Sequence, residues 1–207
     1  MKKFLFFLFA MVLMLSPVSC KKDNGNKNGE GGDPPIDFPG DAVDLGLSVM
    51  WAYRNIGAAN TEDTGMAFGW GCTEPSTPHT YVPSSIYPFT DEEPGPEKLS
   101  GEYDAATAIW GNGWRMPTQG EIRELNALGY TAVKKDGIEV GATFQGKNGN
   151  SIYIPFGAPD RKSFEIWSSE RGSSVFTFAY YYNNKGEVIA NCRREIAHFI
   201  RPVKDKN

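Results

Sequence analysis

Histidine and cysteine are scarce in this chain: 207 residues carry two histidines, His79 and His198, and three cysteines, Cys20, Cys72 and Cys192. Isolated cysteines this far apart, with so few histidines, exclude a CxxC-type zinc module, so no metal and no other cofactor is expected. There is no Gly-x-Ser-x-Gly elbow and no His-Glu-x-x-His helix, and neither histidine lies in a nucleophile motif. Catalysis therefore has no sequence signature, and the carboxylate pairs Glu121/Glu124 and Asp91/Glu93 are explained by helix capping and solvated loop charge. A basic stripe is also missing. Against 25 acidic residues stand 21 Lys and Arg, and the basic pairs Lys134-Lys135 and Arg193-Arg194 are too few to hold phosphates by counterion release. No nucleic-acid partner is expected. Nor does any apolar run reach the ~20 residues that a transmembrane helix needs.

What is there begins with the first twenty residues. Lys2 and Lys3, the apolar run Phe4 to Leu15, and the small residues Val18 and Ser19 before Cys20 form an export signal. Such a stretch resembles a bacterial lipoprotein signal, cleaved before a lipid-modified Cys20; the alternative is an ordinary secretory signal cut near Ser19. Two or more acyl chains, at ~0.8 kcal/mol per buried CH₂, would anchor the chain to a membrane. Removing residues 1–19 takes away Lys2 and Lys3 and no acid, so the formal charge of −4 becomes −6 in the mature chain. Residues 20–40 carry the lipidated cysteine and a Gly-, Asn-, Lys- and Pro-rich spacer with little to bury. The expected location is the outer membrane, facing either the cell surface or the periplasm.

Residues 41–207 read as one folded domain. Val43, Leu45, Leu47, Val49, Trp51 and Tyr53 alternate with smaller or polar residues, which predicts a strand or a hairpin turning near Gly46. Ala67 to Gly71 predicts a short strand. From Cys72 to Gly101 six prolines (Pro75, Pro78, Pro83, Pro88, Pro94 and Pro96) and the acidic Asp91-Glu92-Glu93 read as a long surface loop. A first helix is expected around Tyr103, Ala106 and Trp110, ended by Gly111 to Gly113. A second starts at Thr118, where Thr118 and Glu121 have capping-box spacing. Strands are expected at Val140 to Phe144, Ser151 to Phe156, Phe164 to Ser168, Val175 to Tyr182, Val188 to Cys192 and Ile196 to Val203. Asn148-Gly149 suggests a type I′ hairpin turn.

Eight segments in this order resemble the major paralogous domain (FISUMP-type) of Bacteroidetes-type lipoproteins. They are Val43-Asp44-Leu45-Gly46-Leu47-Ser48-Val49-Met50-Trp51-Ala52, Asn55-Ile56-Gly57-Ala58, Phe68-Gly69-Trp70-Gly71, Tyr103-Asp104-Ala105-Ala106, Trp110 through Trp114-Arg115-Met116-Pro117-Thr118, Asn148-Gly149-Asn150-Ser151-Ile152, Ile166-Trp167-Ser168-Ser169 and Ile200-Arg201-Pro202-Val203. The resemblance implies a C-type-lectin-like α+β domain, distantly similar to the DUF1566 and formylglycine-generating-enzyme groups. Two helices would pack on a twisted, mostly antiparallel sheet, with the long Pro-rich loop outside. It does not imply an activity. The acids and amides of a lectin-type calcium site are missing at Ala158-Pro159-Asp160 and Trp167-Ser168-Ser169, and a late cysteine pair is missing because only Cys192 is there.

Site residues divide into two groups. Trp114, Arg115, Thr118, Glu121 and Arg201 are expected to be structural, the arginines pairing with Glu121, Asp104 or carbonyls. Tyr180, Tyr181, Tyr182, Asn183 and Trp167 form the candidate ligand surface, because three successive strand tyrosines cannot all face one side; edge-strand packing is the alternative. Export permits a Cys72–Cys192 disulfide, and two separately buried thiols are the other reading. The function expected is a lipid-anchored cell-envelope binding or adhesion module for a glycan or a surface protein. An envelope- or glycan-acting enzyme and a structural accessory subunit of a surface complex are the alternatives.

Overall fold

Alternating apolar residues open the fold as a hairpin: β1 (Ala42–Asp44) pairs antiparallel with β2 (Val49–Ala52). Its turn needs Gly46, which sits at φ +76° and donates its N–H to Asp44 Oδ1 at 2.8 Å. The computed structural model describes residues 42–111, 113–157, 162–172, 176–180 and 189–206, all within one unit, Ile36–Asn207. After β3 (Ala67–Phe68) the Pro-rich segment leads to a 3₁₀ turn and α1 (Ala105–Trp110). Asp104 caps α1 through the Thr107 N–H, and the same buried carboxylate accepts the Met116 N–H at 2.9 Å. One side chain thus joins the helix start to the segment after its end. Strand β4 (Trp114–Arg115) runs into α2 (Gln119–Ala127), whose first turn carries the full Thr118–Glu121 capping box.

Beyond α2 come β5 (Thr131–Lys135), β6 (Ile138–Gln145), β7 (Ser151–Pro155), β8 (Ile166–Arg171), β9 (Phe176–Tyr180), β10 (Ile189–Arg193), β11 (His198–Phe199) and β12 (Val203–Asp205). Among the described residues the strands form three sheets, β1-β2-β12-β4, β10-β9-β8-β11-β3 and β5-β6-β7. The described residues form an α+β fold with two α-helices, and their strands pair antiparallel except where β11 runs parallel to β8.

Two local expectations change, and one turn is added. The segment Ile196 to Val203 is divided: β11 and β12 belong to different sheets, and the chain crosses between them at Arg201-Pro202. A proline has no N–H for a ladder, which favours a break at that point. The two-residue hairpin with positive φ at both positions lies at Asp136 (+53°) and Gly137 (+81°), joining β5 to β6. At Asn148-Gly149 only the glycine is left-handed (+88°), and Gly149 N–H bonds to Gly146 O at 3.0 Å. That is a type I turn followed by a glycine bulge.

Apolar packing gathers in three clusters. One joins Leu45, Trp51, Ile122, Leu125, Phe144, Ile154 and Phe164 beneath α2. A second is rich in tryptophan, with Trp70, Trp110, Trp114 and Trp167 around Phe68 and Ile200. A third, smaller one lies under the Pro-rich segment: Ala67, Cys72, Val82, Ala197 and Phe199. Burying a large aromatic or aliphatic side chain is worth about 1.5–3 kcal/mol, so these clusters carry the fold. Arg201 ties the sheets together. Fully buried, it donates to Asn55 Oδ1 (2.7 Å), to the Ala52 carbonyl at the end of β2 (3.0 Å) and to the Tyr153 carbonyl in β7 (3.0 Å). No described helix is long and apolar enough to cross a membrane.

Candidate functional site

Six prolines in thirty residues prevent regular structure, yet this segment is held at both ends by the five-stranded sheet. At its start His79 N–H donates to Ala197 O (2.9 Å), Ala197 N–H to Thr80 O (2.9 Å) and Val82 N–H to Glu195 O (2.7 Å). At its finish Leu99 N–H donates to Ser169 O (2.8 Å) and Arg171 N–H to Glu97 O (2.8 Å). Val82, Phe89 and Leu99 turn inward and are buried, which anchors what the composition suggested was only a surface loop.

Between these anchors the loop and the Arg193–Glu195 corner enclose a groove of about 400 Å³, lined by Tyr81, Tyr87, Phe89, Asp91, Arg194 and Glu195 among others. Tyr81 is 62 % exposed, with the Arg193 guanidinium 5.6 Å from its ring centre. Arg193 also pairs with Glu195 Oε1 at 3.2 Å. Beneath them Arg194 is buried, its guanidinium over the rings of Trp70 (5.6 Å) and Phe89 (5.7 Å), and it donates to the Pro94 carbonyl. Three buried polar atoms on groove residues have no hydrogen-bond partner among the described residues: the Tyr87 hydroxyl, Arg194 Nε and Glu195 Oε2. Such atoms are rare in native proteins because each lost bond costs about 1–3 kcal/mol. Together they offer a donor, an acceptor and a group that is both.

A second polar cluster lies at the foot of the same loop. His79, Glu165 and His198 converge, each offering one ligand atom, and these atoms all lie within 4.8 Å of one another. His79 Nε2 contacts Glu165 Oε2 directly, and His198 Nδ1 is 3.8 Å from that oxygen. The other carboxylate oxygen, Oε1, accepts the Ser163 hydroxyl at 2.8 Å. Glu165 is fully buried and His198 nearly so, whereas the His79 side chain is 22 % exposed. Burial pushes the Glu165 pKa up, but hydrogen bonds from His198 and Ser163 and the charges of both histidines outweigh it, and the net shift is below the usual carboxylate range. Chemically the set is a nitrogen–oxygen donor triad of the kind that ligates transition metals.

No family model, curated protein or solved structure matches the chain.

The residues singled out in the sequence fall in different places. Trp114 is buried, and Arg115 makes a two-pronged contact with Glu121 (2.9 and 2.7 Å) plus one to Asp205 (2.6 Å). Thr118 accepts the Glu121 N–H at 3.2 Å. Trp167 is not on a ligand surface: it is fully buried, donates to the Phe68 carbonyl (2.7 Å) and meets the His198 ring edge-on at 4.6 Å. Its strand sits inside the five-stranded sheet, between β9 and β11, and successive residues Ile166 to Ser169 are all buried, so neither face is open there. Cys72 and Cys192 are free thiols; burial above all pushes each to about 12, with Glu74 adding for Cys72 and Glu165 for Cys192. Tyr180 ends β9, and Tyr181, Tyr182 and Asn183 lie outside the described residues. Sequence reasoning passed over His79, Glu165 and His198 because they are spread along the chain. The signal that was available is the chain's only two histidines, which is too little by itself.

Proposed function

We propose that this chain is a lipid-anchored binding module of the cell envelope that recognises a glycan in the groove under its Pro-rich loop. Cys20 carries the lipid, residues 21–40 give reach, and residues 41–207 form the binding domain. The eight segments that resemble FISUMP-type lipoproteins support this placement, and the α+β arrangement of two helices on antiparallel sheets is compatible with a C-type-lectin-like fold. The observation that carries the reading is the trio of unpartnered buried polar atoms beside an exposed tyrosine. Sugars present hydroxyls that both donate and accept, together with apolar ring faces that stack on aromatics.

Full-length protein in detergent, screened on a glycan array with and without calcium, tests the reading. A bound glycan lost on Tyr81→Ala and on Glu195→Gln is the expected result; no bound glycan, or binding indifferent to both changes, overturns it. For the anchor, Cys20→Ala is expected to release the chain from the membrane fraction, and retention there would refute lipidation. A second reading, a glycan-acting enzyme, is favoured by one feature: Asp91 and Glu195 line the same groove, and glycosidases work with a carboxylate pair. Hydrolysis of the bound glycan, abolished by Asp91→Asn, would distinguish it.

A further inference from the structure

We propose that His79, Glu165 and His198 bind one divalent transition-metal ion of the zinc class, which locks the Pro-rich loop onto the five-stranded sheet. The three donors come from three parts of the chain. His79 belongs to the start of the loop, Glu165 immediately precedes β8, and His198 opens β11.

Spacing suits the ion. Two donors each ~2.1 Å from a tetrahedral zinc lie roughly 3.4 Å apart, and His198 Nδ1 stands 3.8 Å from Glu165 Oε2. The direct His79–Glu165 contact would open by rotation of the partly exposed imidazole, with the ion taking the place of the shared proton. Two imidazoles and one carboxylate also discriminate by chemistry. Calcium and magnesium prefer all-oxygen sets, whereas zinc accepts nitrogen readily.

Support around the donors matches what metal ligands require. Ser163 holds Glu165 Oε1 and leaves Oε2 to the histidines. The Trp167 edge against His198 and the Phe199 ring 5.9 Å from His79 give the cluster an apolar surround. Gly157 leaves the carboxylate room, since a Cβ there would stand 2.9 Å from Glu165 Oε2 and 2.8 Å from the Phe199 ring. Most telling is the backbone. Two of the three residues, His79 (φ +62°) and Glu165 (φ +52°), adopt the left-handed conformation. Side-chain-bearing residues seldom do so, and such residues gather where a side chain must be aimed.

The proposal stands independently of glycan binding, although Tyr81 follows His79 by two residues and a bound ion would steady it. Untagged full-length protein in detergent, stripped with chelator, is titrated with Zn²⁺ by calorimetry and with Co²⁺ by visible absorption. The expected result is one Zn²⁺ per chain, tetrahedral Co²⁺ bands and a rise in melting temperature. His79→Asn leaves the buried pair in place and Glu165→Gln keeps an acceptor for Ser163. Each is expected to weaken Zn²⁺ binding by at least about 100-fold, with far-ultraviolet circular dichroism of the metal-free proteins unchanged. No stoichiometric ion, binding of Ca²⁺ in preference to Zn²⁺, or full binding in both variants would each overturn the site.

Discussion

Arg201 and Arg194 are both buried, yet they do opposite things. Arg201 bridges two sheets, and each of its three bonds reaches a neutral acceptor, Asn55 Oδ1 or a carbonyl. Arg194 sits under the loop, bonds one carbonyl, rests on two aromatic rings and keeps Nε without a partner among the described residues. Burial alone does not tell a structural charge from a functional one. Completeness of hydrogen bonding separates the two, because an unsatisfied buried donor is a standing cost.

Exchanging each arginine for methionine is the sharpest way to break that contrast. Arg201→Met strands three buried acceptors and is expected to cost about 3–5 kcal/mol, read as a large fall in denaturation midpoint. The lysine variant should not rescue it, since one ammonium cannot reproduce the planar fork. Arg194→Met removes a charge with incomplete partners, so its stability cost is expected to stay below about 2 kcal/mol, while glycan capture is lost. Equal destabilisation by the two changes would erase the distinction.

Arg115 provides an intermediate case, half-buried and matched to carboxylates. Burial raises the Glu121 pKa, but the Arg115 bonds and the Thr118 N–H outweigh it, and the net shift is downward. A depressed folded pKa means stability that is present above the unfolded value of ~4.3 and lost as pH falls through the folded value. Asp104 acts in the opposite sense, because burial, the largest influence, raises its pKa despite bonds from Met116, Thr107 and Ala106. Comparing Glu121→Gln with the parent between about pH 5 and 3 isolates the first effect. The variant is expected to be less stable by about 1–2 kcal/mol at pH 7, with the gap closing in acid. A constant gap would show that Glu121 acts through shape alone.

The smallest effect concerns how firmly the loop side is closed. With thiols pushed to about 12, Cys72 and Cys192 hold roughly one thiolate in ten thousand at pH 8. Native protein is expected to resist iodoacetamide and to react only as it unfolds. Rapid labelling of Cys72 in native conditions would mean that the loop lifts locally, which would weaken both the groove and the metal clamp.

Much of the fold was legible locally. The capping box at Thr118 and Glu121, the hairpin turn at Gly46 and the inward-facing tryptophans follow from spacing and residue type, because each depends on neighbours a few positions away. Other features were not. Asp136-Gly137 carried the stronger hairpin geometry, but β5 before it is half exposed and lacks clean alternation. By sequence Trp167 groups with the tyrosines as a candidate ligand residue, and only the tertiary packing that buries residues 166–169 of β8 removes it from any surface.

The sequence by itself determined the acidic balance, the helices with their caps and the long proline-rich break. Those rest on composition and short-range backbone preference. Tertiary structure alone decided that Arg201 would join two sheets, that Arg194 would be left incompletely bonded, and that two distant histidines would meet one glutamate. Each depends on contacts between residues far apart in the chain, where no local periodicity carries the information.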